Sequence, residues 1–94
     1  MKPFIDMYLI SALLSYGYKK MDVDRSNTYR QKFFFEDEKR EVFTIKDEKV
    51  EKIFVDLGEF EHLFSYRKLL LPPSYPDTLQ DLKYEIYSYK NDNR

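Results

Sequence analysis

Ninety-four residues supply one domain and one core, so a single domain spanning 1–94 is expected. With 43% hydrophobic and 18% aromatic residues, only two Gly and four Pro, the chain is too rich in core formers to be disordered. Sixteen bases against seventeen acids exclude a dedicated duplex-DNA binder, and the absence of Cys excludes a disulfide scaffold, a thiolate zinc site and a cysteine nucleophile together.

The missing Cys fits a cytoplasmic protein. A domain this small buries a modest fraction of its surface, which leaves partner-assisted stability, such as a dimer, open. Charge is unevenly spread. Lys19 to Lys32 holds five bases and two acids, whereas Glu36 to Glu61 holds ten acids and five bases. A binding surface shows such asymmetry, and so does an ordinary mixed, solvated surface.

The first element is the apolar stretch Phe4–Tyr18. It is too short to span a bilayer and carries Asp6; with Pro3 near its start and no small-residue cleavage site, it is also a poor signal peptide. It reads as a helix opened by Pro3 and closed by Gly17. Ile5, Leu9, Ile10, Leu13, Leu14 and Tyr16 surround most of its circumference, so burial is expected against a sheet and a second helix or subunit.

Four strand-like runs follow: Lys19–Arg25, Tyr29–Glu36, Arg40–Lys46 and Val50–Val55. Ser26-Asn27 separates the first pair; Asp37-Glu38-Lys39 and Asp47-Glu48-Lys49 are the next two turns. Short connections make antiparallel hairpins, and the expected sheet is a β-meander of three to four strands. Period-two alternation puts Met21, Val23, Phe33, Phe35, Phe43, Ile45, Ile53 and Val55 on a buried face. Asp47–Leu57 also fits helical spacing through Val50, Ile53, Phe54 and Leu57; strand is the preferred reading.

Asp56 with Glu59 spells a capping box, flanked by Val55 and Phe60 as a hydrophobic staple, for a helix to about Leu69. The tract Leu71 to Pro76 is a stiff connector. Asp77 with Gln80 begins a last helix burying Leu79, Leu82 and Ile86. The fold class is therefore α+β: an N-terminal helix, an antiparallel meander and two C-terminal helices.

Three stretches carry a resemblance: Tyr8–Tyr18, Lys32–Asp37 and Leu79–Tyr87. Their order resembles a family of small proteins from phages, prophages and low-GC bacteria, grouped as a domain of unknown function. The resemblance implies a helix, a β-hairpin and two helices joined by a Pro-containing turn, in a mobile-element accessory protein. It supplies no catalytic residues. Residues 38–56 depart from the pattern by adding a second hairpin.

Catalytic chemistry finds no foothold, and neither enzyme activity, a metal nor a cofactor is expected. His62 is the single histidine and sits beside Phe60, Leu63 and Phe64, as a helix-surface or packed His does. The Glu36-Asp37-Glu38 and Asp47-Glu48 clusters fall in turns beside Lys39 and Lys49, where solvated carboxylates belong. Asp22 and Asp24 lack further oxygen ligands in a loop spacing that a hard cation needs. The serines lack a nucleophile elbow, and two glycines cannot cradle a phosphate.

Two surfaces remain. On the even-numbered face of the meander, Lys20, Arg30, Lys32 and Lys52 surround Phe34 and Phe54. Bases and aromatics on an open sheet suit single-stranded nucleic acid. Asp22, Asp24, Glu36 and Asp56 share that face and oppose this reading, and helices or a partner would cover it equally well. On the last helix, Tyr84, Tyr87 and Tyr89 offer a protein interface or a Tyr-rich rim over the core. The expectation is a non-enzymatic binding or regulatory protein acting through protein contact or self-association. Single-stranded nucleic-acid binding is the alternative.

Overall fold

The computed structural model describes residues 3–27 and 29–92, with the backbone alone for 89–92. The element order is β1 (Pro3–Phe4), α1 (Met7–Ser15), β2 (Lys20–Asp24), β3 (Lys32–Phe35), β4 (Arg40–Lys46), β5 (Lys49–Val55), α2 (Leu57–Ser65) and α3 (Tyr75–Asp92). This is an α+β fold with antiparallel strands. No helix among the described residues is long and apolar enough to cross a membrane.

Pro3 does not open the first helix. Pro3 and Phe4 instead pair with Phe34 and Phe33 as a short edge strand, and Asp6 caps α1 by accepting the Tyr8 amide at 2.9 Å. Gly17, at φ 89°, closes α1. Its amide donates to Leu14 at 2.9 Å and that of Tyr18 to Leu13 at 3.0 Å, a Schellman ending that glycine makes strain-free. The capping box of α2 forms as expected, with Glu59 N–H to Asp56 at 2.8 Å. α2 stops at Ser65, short of Leu69, because Arg67 at φ 56° turns the chain back in a second Schellman motif. α3 begins two residues before Asp77, at Tyr75.

The strands do not join into one meander. They divide into a three-stranded sheet ordered β1-β3-β2 and a separate two-stranded ribbon, β4-β5. Residues 36–39 carry the chain from one to the other rather than closing a hairpin. Within Asp47–Leu57, Lys49–Val55 is strand, as the alternation indicates, between the turn at Asp47-Glu48 and the start of α2 at Leu57.

One core unites the parts. Phe4, Phe33 and Phe35 from the first sheet meet Leu9, Ile10, Ala12 and Leu13 of α1, Val42 and Val55 of the ribbon, Leu57 and Phe60 of α2, and Leu82 of α3. Phe60 lies edge-on to Tyr16 and Tyr18, with ring centroids 5.7 and 5.2 Å away. α1 packs chiefly along α3, while α2 makes lesser contacts with α1 and with β5.

Candidate interaction surface

Turn length decides which side of the ribbon faces in. Asp47 and Glu48 both have positive φ, 51° and 65°, the signature of a two-residue type I′ turn. Lys46 therefore pairs with Lys49, and the register runs Ile45–Val50, Phe43–Lys52, Val42–Ile53, Glu41–Phe54 and Arg40–Val55. Directly paired residues share a face, so even positions of β4 lie with odd positions of β5. Val42 and Thr44 are buried beside Ile53 and Val55. Phe43 and Ile45, expected inside, are on the outer face.

That outer face carries Phe43, Ile45, Val50 and Phe54 around Glu41 and Lys52, and it stays partly exposed. A single bridge between Thr44 and Leu69 lays residues 68–70 antiparallel to β4. The Ile45 amide donates to Lys68 at 2.8 Å and the Leu70 amide to Phe43 at 2.9 Å. Leu70 thus stands beside Phe43, and Lys68 beside Ile45. Phe43, Ile45, Val50, Phe54, Leu70 and Leu71 are 37–65% exposed, with Phe54 the most exposed of them. Phe43, Val50, Leu70 and Leu71 continue into a groove of about 530 Å³ completed by Tyr16, Pro72 and Pro73. The Tyr16 hydroxyl fixes its floor by donating to the Leu70 carbonyl and accepting the Phe43 amide, the latter at 3.2 Å. Burial pushes the Tyr16 phenol pKa above its ordinary value. Within the face, Glu41 pairs with Lys52 at 3.8 Å.

The six residues expected to bind nucleic acid are not brought together. A bulge between Lys20 and Asp22 shifts the β2–β3 register, so Lys20 pairs with Phe35 and joins the core side of the sheet. Its ammonium lies 5.7 Å from the Phe33 ring centroid and 3.8 Å from Glu85 of α3. The same bulge leaves Met21, expected inside, exposed. Phe34 is half-buried, with Asp22 directly across from it. Lys32 pairs with Asp24, whose carboxyl is held below its ordinary pKa by the Ser26 amide and hydroxyl, with Lys32 adding a smaller effect. Arg30 and Lys32 line a small cleft with Ile5, Asp24, Ser26 and Asn27. Lys52 and Phe54 belong to the other sheet.

Tyr84 and Tyr87, 72% and 51% exposed, are neighbours on α3 above a shallow depression lined also by Gln80, Lys83 and Ser88. The side chain of Tyr89 lies outside the described ones. His62 is exposed on α2 and rests against the Tyr66 ring, centroids 4.5 Å apart. Among the described residues, no three His or carboxylate side chains cluster as a metal site.

The residues sequence reasoning missed are Phe43, Ile45, Val50, Leu70 and Leu71. For Phe43 and Ile45 the signal is turn length: a three-residue Asp-Glu-Lys turn puts Phe43 with Ile53, a two-residue turn puts Phe43 with Lys52. Compared with protein-family models, curated proteins and solved structures, the chain finds no match, so the phage-family resemblance rests on its three stretches alone.

Proposed function

We propose that this chain is a non-enzymatic binding or regulatory protein, of the phage or mobile-element type that the resemblance implies, acting through protein contact at the outer face of the β4–β5 ribbon. One observation carries the reading: Phe43, Ile45, Val50 and Phe54 of the two-stranded ribbon, with Leu70 and Leu71 of the segment beside it, stay 37–65% exposed. A two-stranded hairpin is at best marginally stable unless its apolar surface is packed. Here only the Val42–Ile53 side is packed. The largest apolar patch on a small protein, typically about 300–600 Å², is often its functional one. Phe43 and Phe54 supply the aromatic anchors that interfaces concentrate.

Site-specific photo-crosslinking in the native cell tests the reading. A photoreactive phenylalanine analogue at Phe54 is expected to capture a polypeptide, while the same analogue at Lys39 captures none. Absence of any crosslinked polypeptide at position 54 overturns the proposal.

A further inference from the structure

Resting on that reading, we infer that the occupant of the face is a second copy of the chain, packed ribbon against ribbon about a two-fold axis. Area is the first argument. At about 150–250 Å² per aromatic side chain, and less for each aliphatic one, the six residues at their 37–65% exposures present about 500 Å² of apolar surface. A standard interface takes about 800 Å² from each partner, and where two identical copies meet about 65% of it is apolar. That again is about 500 Å².

Charge is the second argument. An isologous interface must be complementary to itself. The face carries one acid, Glu41, and one base, Lys52, side by side, with Lys68 at its margin. It offers no dominant sign to attract a strongly acidic or basic partner. A copy turned by a two-fold axis meets Glu41 with Lys52 and Lys52 with Glu41. The apolar residues on either side meet their own kind.

Light scattering on the purified chain across the micromolar to millimolar range tests the inference. The expected result is a mass twice the 11.5 kDa of one chain, halved by Phe54→Glu and by Val50→Glu and unchanged by Tyr84→Glu on α3. Circular dichroism on each variant must show the native spectrum. Because Phe54 and Val50 are largely exposed, both variants keep the fold. A wild-type chain monomeric throughout overturns the second copy. So does a dimer that survives both ribbon variants or is dissociated by Tyr84→Glu. If the purified chain is monomeric yet position 54 crosslinks a different polypeptide in the cell, the second copy fails and the protein-contact reading stands. If nothing crosslinks, both fail.

Discussion

The Tyr18 hydroxyl donates to the Val55 carbonyl at 2.7 Å, joining the end of α1 to the last residue of β5 inside the core. Tyr18 is 2% exposed and Val55 1%, so neither group can turn to water instead. Tyr18→Phe keeps the ring against Phe60 but removes this hydrogen bond, while the Val55 residue keeps its ladder partner Arg40. The expected loss is about 0.5–1.5 kcal/mol of unfolding free energy, read as a lower urea midpoint at unchanged slope.

The same phenol should make stability fall at alkaline pH. Burial pushes the Tyr18 pKa up to about 12, and the Tyr16 and Tyr75 phenols are raised for the same reason. An unfolded chain ionises its tyrosines near the ordinary value of about 10. The stabilisation is thus fully present below about pH 10 and lost as pH rises toward about 12. Urea midpoints across that window should fall with pH for the wild type and fall less steeply for Tyr18→Phe.

Position on the ribbon, rather than residue size, should govern the cost of truncation. Phe33 is wholly buried, and Phe33→Ala is expected to cost about 3–5 kcal/mol. Phe54→Ala should change the stability of the isolated chain by no more than about 0.5 kcal/mol. Chemical denaturation at low protein concentration makes the comparison. A large loss at Phe54 would mean that the outer face is packed after all.

At the turn, Glu48 holds φ 65° without being glycine. Glu48→Gly should stabilise the chain by about 1 kcal/mol by relieving the left-handed conformation. Asp56→Ala, which removes the acceptor of the Glu59 amide, should destabilise it by about 1 kcal/mol. Thermal unfolding of the two variants should therefore move in opposite directions.

Oligonucleotide binding should be weak and insensitive to Phe34. Lys20 is engaged with Glu85, Lys52 with Glu41, and Lys32 faces Asp24. Fluorescence anisotropy with single-stranded DNA and RNA at two salt concentrations checks this. A ten-fold loss of affinity on Phe34→Ala, from binding that falls steeply with salt, would instead establish stacking on that ring.

Local signals in the sequence carried furthest. The Asp56–Glu59 box, Gly17 at the end of α1 and Leu82 in the core each depend on residues within a turn or two of one another, and the structure keeps all three. Strand alternation was legible too, but its phase was not. Lys20 changed sides through one bulge, and Phe43 and Ile45 through one residue of turn length. Phe43 and Ile45 are more apolar than Val42 and Thr44, so composition pointed to the wrong face of β4. Arg67 in the left-handed region ended α2 before Leu69 without a glycine to announce it.

The two-residue turn at Asp47-Glu48 also bears on how such a chain can evolve. Because parity, not composition, assigns the ribbon's interior, one codon inserted at that turn would offer Phe43 and Ile45 to the core with Ile53 and Val55, and turn Val42 and Thr44 outward. No coding substitution would be needed. A lineage could exchange a binding face for a core face through a single indel, and related chains differing by one residue at this turn should differ in what they bind before they differ in fold.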